Sequence, residues 1–227
     1  MTAREELAAR FPFFDNLGEN AKKTLIEKAR KETFSKGETL PFEAKIKFAS
    51  VKRGGIGVFS VGENGSEIFL FRVQKDENFV LNKLLVYECL SPTEIFYIDE
   101  AEAARLIEKS PDAEIFFAKT SLEHVDAALA QFNSVLFFDL DKRLANFLIS
   151  ETTRARSHTL LFTHEQIARF IGTSREVVTR KLSRLSSFGA VELCRGKITV
   201  KNKELLKKLV SAPRGTISGP AERFFRP

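Results

Sequence analysis

The spacing of apolar and polar positions changes character several times along the chain. Residues 4–10 and 19–31 read as helices, separated by the apolar knot Phe11-Pro12-Phe13-Phe14 and by Leu17-Gly18-Glu19-Asn20, which supplies a turn and a cap. From Thr33 short β-rich runs take over, at 46–51, 56–61, 67–73, 78–81, 84–89 and 94–98. Gly37, Gly54-Gly55 and Glu63-Asn64-Gly65 punctuate them, the last being a hairpin signal, so the pattern predicts an antiparallel roll. A short helix over 100–109 follows, and no internal repeat is visible.

Pro111-Asp112 opens a longer pattern, with apolar residues at Ile115, Ala118, Leu122, Val125, Leu129, Phe132 and Leu136, in alternating steps of 3 and 4. Such a narrow stripe is what a helix shows when it pairs with a copy of itself, and a helix over 111–138 would extend roughly 42 Å. A homodimer is the expected consequence, with those seven residues as its interface. The alternative is a helix lying across its own roll, because Phe116, Phe117, Phe137 and Phe138 broaden the stripe. Asp139-Leu140-Asp141 then offers a cap and a break near Phe138. Beyond it the pattern predicts a helix over 140–151, a polar connection over 152–158, a strand pair near 191–193 and 197–200 turning through Cys194-Arg195-Gly196, and a helix over 202–210. The fold class is therefore α+β. The expected order is a β-roll domain with flanking helices (1–110), a dimerisation helix (111–138), a winged helix-turn-helix domain (139–210) and an irregular tail (211–227).

The helix-turn-helix reading rests on the stretch from Thr163 to Leu185. Thr163 is placed to cap a first helix, with Gln166 completing a capping box and Ile167 and Phe170 on the buried side. Gly172 suits a left-handed turn, and Ser174 caps a second helix whose inner face is Val177, Val178, Leu182 and Leu185. The outer face is then Arg175, Glu176, Thr179, Arg180, Ser183 and Arg184. Arginine can bond guanine O6 and N7 together, glutamate can accept from cytosine N4, and threonine can touch a phosphate or a thymine methyl. The competing reading is a helix pair with a salted surface, since Glu176 and Arg180 stand four apart and could pair with each other.

Charge supports the nucleic-acid reading. The net charge of +6 divides unevenly: residues 1–138 carry 18 Lys+Arg against 22 Asp+Glu, whereas 139–210 carry 15 against 7. Positive potential concentrated around the motif is what a polyanion requires. An enzyme is not expected. All three histidines, His124, His158 and His164, fall at or after the long helix, so residues 1–123 lack the histidine cluster of a cupin-type metal site, and no nucleophile–base pair or glycine-rich phosphate loop is present. No window approaches the roughly 18 apolar residues of a membrane span, and the N-terminus lacks the order of a signal peptide, so a cytoplasmic address is expected. The two cysteines, Cys89 and Cys194, lie in different expected domains, which argues against a disulfide.

The segment Gly172-Thr173-Ser174-Arg175-Glu176, with Arg180, resembles the CRP/FNR superfamily of transcription regulators (cyclic-AMP receptor protein and fumarate-nitrate regulator), and the order of roll, long helix and winged helix-turn-helix agrees from about 11 to 210. The resemblance implies that Arg175, Glu176 and Arg180 read bases, that Thr163 and Ser174 hold phosphates, and that a parallel dimer binds double-stranded DNA at an inverted repeat with a core containing TGA. RNA polymerase is a further candidate partner. It also implies an effector bound by the roll. The cyclic-nucleotide members carry a Gly-Glu-Leu segment followed by an Arg that grips the phosphate, and residues 72–93 contain no such cassette. Two cysteines fall short of the four ligands of an iron–sulfur cluster, while haem stays open, so the cofactor is unknown. No metal site is expected. Cys89 reads as a small buried hydrophobe rather than a redox thiol, His124 as a partly exposed polar residue rather than a ligand, and the 22 Phe as core. A haem- or redox-responsive regulator, and a module that binds something other than DNA, are the alternatives.

Overall fold

The computed structural model describes residues 6, 10, 11, 13–41 and 46–211. The helix expected over 4–10 and the tail beyond Ser211 fall largely outside them. The chain divides into two compact units, Met1–Ala130 and Gln131–Pro227.

In the first unit, a 3-10 turn at Phe14–Asn16 leads into helix α1 (Glu19–Lys28). Strands β1 (Arg30–Phe34), β2 (Ile46–Arg53), β3 (Gly55–Val61), β4 (Glu67–Gln74), β5 (Asn78–Val80), β6 (Val86–Cys89) and β7 (Thr93–Asp99) follow, then α2 (Glu100–Lys109). They form two antiparallel sheets, ordered β1-β7-β2-β5 and β4-β3-β6. Between the sheets lies an apolar core that includes Val51, Ile56, Val58, Phe79, Tyr87 and Ile95. A second cluster joins Phe11, Phe13, Phe48 and Leu106 to Phe117 of the long helix, with Phe48 edge-on to Phe117 at 4.5 Å. The phenylalanines are thus largely core, as expected.

Two predicted boundaries move. The helix expected over 19–31 stops at Lys28, because Arg30 and Lys31 already pair with Tyr97 and Phe96 of β7, and the cross-strand bonds win over local helical preference. The strand expected from Leu84 starts at Val86: Asn82 accepts from the Leu84 amide at 3.0 Å and its carbonyl from the Leu85 amide, a turn that leaves Leu84 78% exposed. Gly54 permits the tight β2–β3 connection on two counts. Its φ is +89°, and a Cβ there would stand 2.5 Å from the Pro92 carbonyl oxygen.

Helix α3 (Pro111–Phe137) has 27 residues, about 40 Å. One face carries the buried Ala113, Phe117 and Thr120 and the half-buried His124, Ala127 and Ala128. The opposite face carries the heptad stripe, and all seven of its residues are exposed. Part of α3 thus packs on its own roll, as the alternative reading of the sequence has it, while Leu122, Val125, Leu129 and Leu136 on the stripe remain 52–62% exposed.

The second unit contains α4 (Leu140–Arg154), β8 (Thr159–Leu160), α5 (His164–Ile171), α6 (Arg175–Ser187), β9 (Val191–Cys194), β10 (Lys197–Val200) and α7 (Lys203–Ser211). Asp139 caps α4 by accepting from the Lys142 amide at 2.9 Å. The helix runs three residues past the predicted end, with the Thr152 hydroxyl bonded back to the Leu148 carbonyl. Strand β8 was not predicted; its two residues pair with β10, making the wing a three-stranded sheet β8-β10-β9. Leu144, Leu148, Ile167, Val178, Leu182 and Ile198 lie in one buried cluster, so the wing and all four helices share a core.

Candidate nucleic-acid interface

Local chemistry builds the helix-turn-helix. The Thr163 hydroxyl accepts from the Gln166 amide at 3.1 Å while the Gln166 side chain accepts from the Thr163 amide at 2.9 Å, a complete capping box. Gly172 ends α5 in the left-handed region, at φ 66° and ψ 58°. Ser174 then caps α6. Val178, Leu182 and Leu185 are buried, which turns Ser174, Arg175, Glu176, Thr179, Arg180 and Ser183 outward. Such a surface at the N-terminal half of a second helix is placed to meet base edges in a major groove.

The individual side chains are not equally available. Among the described residues Arg180 takes part in no ion pair, so the Glu176–Arg180 bridge that would have made the surface self-satisfied does not form. Glu176 instead folds back on the helix start. Its own backbone N–H, then the Ser174 hydroxyl and the Arg175 charge, hold its carboxyl below the usual carboxylate range. It is an ionised acceptor with lone pairs to spare. Ser174 gives its proton to that carboxylate, and Arg184, half-buried, lies with its guanidinium 6.0 Å from the Phe188 ring.

Thr179 is engaged inside the motif: its hydroxyl donates to the Arg175 carbonyl at 2.9 Å and stands 2.9 Å from His164 Nδ1. With the hydroxyl proton on the carbonyl, Nδ1 donates in the second bond and Nε2 is left as an acceptor in the neutral ring; with the hydroxyl proton directed at Nδ1, the roles reverse. Burial, and then the Arg175 charge, lower the His164 pKa.

A cleft of about 350 Å³ opens beside this surface, lined by Thr163, His164 and Glu165, by Arg175 at the start of α6, and by Cys194, Gly196 and Lys197 of the wing. Lys201, at the end of the wing, is bonded to Glu192 at 2.7 Å, whereas Lys197 faces the cleft; the basic turn Cys194-Arg195-Gly196-Lys197 is the sequence signal for it.

In the roll, the buried polar residues of unit one are Ser50, Thr93, Glu102, Ser110 and Thr120, with no buried Lys or Arg among the described residues. Cys89 is fully buried, and burial pushes its thiol up to about 11. His124 is half-buried, stacked on Phe71 at 4.7 Å, with burial lowering its pKa against a bond to the Asn78 backbone. No group of three or more His, Cys, Asp or Glu able to hold a metal is found among the described residues. No helix there is long and apolar enough to cross a membrane.

A capped helix pair, an outward basic second helix and a wing define a winged helix-turn-helix protein of the DNA-binding kind. Residues 142–209 match the Crp-like helix-turn-helix domain, and the chain has the architecture of CRP/FNR-family transcription regulators, whose class is regulatory rather than enzymatic. A regulator of that family from Eubacterium rectale is similar over 89% of this chain and 99% of its own, at 24% identity and a TM-score of 0.75. FixK2 from Bradyrhizobium japonicum is similar over 82% and 98%, at 17% identity and a TM-score of 0.73. A mutant of CooA from Carboxydothermus hydrogenoformans is similar over 89% and 96%, at 21% identity and a TM-score of 0.73. No curated protein matches.

Proposed function

We propose that this chain is a cytoplasmic, homodimeric transcription regulator that binds double-stranded DNA at an inverted repeat and answers to an effector held by its β-roll. One observation carries the DNA reading: the outer face of α6 presents Arg175, Glu176 and Arg180 to solvent, with Glu176 ionised and not paired to Arg180. Arg180 supplies the two parallel donors that guanine O6 and N7 accept, and Glu176 the acceptor that cytosine N4 requires. Thr163, at the cap of α5 and the edge of the cleft, serves a phosphate, as do Lys197 and Arg175. Thr179 acts by holding His164, and Ser174 by orienting Glu176; Arg184 is a flanking contact. The seven exposed residues of the α3 stripe form the dimer seam, and RNA polymerase is the partner of the DNA-bound dimer.

The roll favours an effector other than a cyclic nucleotide. A buried cyclic phosphate needs a cationic or dense amide grip, and among the described residues of unit one no Lys or Arg is buried.

Selection of binding sites from a random duplex pool tests the reading. The expected outcome is an inverted repeat whose half-sites are about one DNA turn, roughly 34 Å, apart, each containing TGA. Arg180→Ala is expected to cost about 1–3 kcal/mol and to relax selection at one base pair per half-site. Recovery of no repeat, or an equal loss on every sequence, refutes it.

A further inference from the structure

Two basic residues of the second unit are bonded to partners within it. Lys181, on α6, bonds Asp141 at the start of α4 at 2.6 Å, with both side chains largely buried at 22% and 15% exposure. Arg143, two residues further along α4, donates through Nη1 to the Ile171 carbonyl at 2.8 Å and reaches the Gly172 carbonyl at 3.5 Å. From α3, Gln131 Nε2 donates to the Phe170 carbonyl at 3.0 Å. Phe170, Ile171 and Gly172 are the C-terminal carbonyls of α5, which helical bonding leaves without donors. A Cβ at position 172 would lie 3.5 Å from Arg143 Nη1, an ordinary van der Waals contact, so the guanidinium seats beside Gly172. Burial lowers the Arg143 pKa, and its Nε has no partner among the described residues, so the group is held in place at a cost in solvation.

These contacts converge on both helices of the motif from one place, the junction between α3 and α4. Val178, Leu182 and Leu185 of α6 share a buried cluster with Leu144 and Leu148 of α4, contacts that carry no direction. The Lys181–Asp141 bond adds a directional tie between the same two helices. The helix-turn itself is held by three carbonyl bonds from outside the motif, one of them from Gln131, the immediate neighbour of the seam residue Phe132.

Resting on the DNA-binding reading above, we propose that Gln131, Asp141, Arg143 and Lys181 are positioning residues for DNA recognition: they set the pose of the recognition helix from the α3–α4 junction and touch no DNA. Two of them are cations that a charge map of this basic domain would assign to phosphate.

The two assignments separate by salt dependence, because each phosphate neutralised contributes about 0.9 to the slope of log affinity against log salt concentration. The probe is the duplex that the wild-type chain recovers by selection; failure to recover one refutes the DNA reading and is seen before any variant is made. On that duplex, Lys181→Gln is expected to weaken binding about tenfold with an unchanged slope, and to weaken discrimination against single-base variants. Asp141→Lys and Lys181→Asp are expected to lose affinity singly and to regain it to within about threefold of wild type when combined, as a directional pair requires. Arg143→Met is expected to lower affinity and discrimination with the slope unchanged, and Arg143→Lys, keeping one donor, to restore part of both. A fall in slope of about one unit in Lys181→Gln, or full wild-type affinity and discrimination in both Lys181→Gln and Arg143→Met, overturns the proposal. If the charge-reversed chains do not fold, as judged by thermal unfolding, the neutral variants decide it alone.

Discussion

Replacing Leu122 and Leu129 by alanine should separate the proposed dimer. Both side chains belong to the α3 stripe, and they are 62% and 54% exposed in the single chain. Full burial of a leucine side chain is worth about 1.5–3 kcal/mol, so covering the exposed half or so in a seam recovers roughly 1 kcal/mol per residue. Two residues in each of two chains make four such contributions, about 4 kcal/mol, or near a thousandfold in the dimer dissociation constant at 1.4 kcal/mol per tenfold. Little of that loss should appear within a protomer, because neither side chain contributes to its buried clusters. Sedimentation velocity over a concentration series gives the dissociation constant directly. Binding to a full inverted repeat should fall with it, while binding to a single half-site should not. Glu123→Ala, on the same helix, exposed and outside the stripe, is the control and should leave the dimer as it was. A double alanine variant whose dissociation constant stays within about threefold of wild type would refute the seam.

Three further outcomes follow from the same geometry. Lys197→Ala should lower the salt slope of DNA binding by about 0.9, the value for one phosphate, whereas Lys201→Ala should change it little because Glu192 already pairs with Lys201; equal slopes for the two variants would contradict the cleft as the backbone track. Maleimide should label the folded chain once, at the exposed Cys194, and leave Cys89, buried and with its thiol pushed up to about 11, unmodified at pH 8; bound DNA should slow the labelling, and mass spectrometry showing two labels, or an unchanged rate, would count against it. His124 has its folded pKa lowered by burial, so the unfolded chain takes up the proton first; its contribution to stability is present above the unfolded value of about 6.5 and is lost as pH falls from there through the folded value. Thermal unfolding between pH 7 and 5 should show a shallower decline in His124→Phe, which keeps a ring against Phe71, than in wild type; parallel curves would refute the assignment.

What could be read from the sequence depended on how local its cause was. The capping box of Thr163 and Gln166, the left-handed Gly172 and the Asp139 cap are each decided within four residues, and each stands where the chain pattern put it. The β3–β4 hairpin at Glu63-Asn64-Gly65 is of the same kind, with the Asn64 side chain accepting from the Ser66 amide at 3.0 Å. The end of α1 was misplaced because its limit is set by β7, some sixty residues later in the chain. Strand β8 is two residues long, too short for any period, and exists through β10. Side-chain partners were the least legible. Glu176 and Arg180 have the spacing of a helical ion pair, yet Glu176 bonds the nearer donors at its own helix start, where the exposed N–H and the Ser174 hydroxyl cost no extension of a long side chain.

The same locality explains why the two units differ in what they disclose. Reading DNA requires side chains displayed on a regular helix whose register is set by capping and period, so residue type and position translate into surface chemistry. Holding an effector inside a roll requires side chains from several strands to converge across two sheets, a juxtaposition that no local period encodes. Arg143 shows the consequence within the DNA-binding unit itself: by composition it is one more cation of a basic segment, and only the carbonyls of Ile171 and Gly172, 28 and 29 residues further on, reveal a group turned inward to hold the motif. The number of basic residues therefore overstates the phosphate footprint of this domain. Lys181 and Lys201 are committed to Asp141 and Glu192, which cancel them in the net charge, and Arg143 is committed to backbone carbonyls. The salt slope of DNA binding should accordingly be smaller than a count of its basic residues implies.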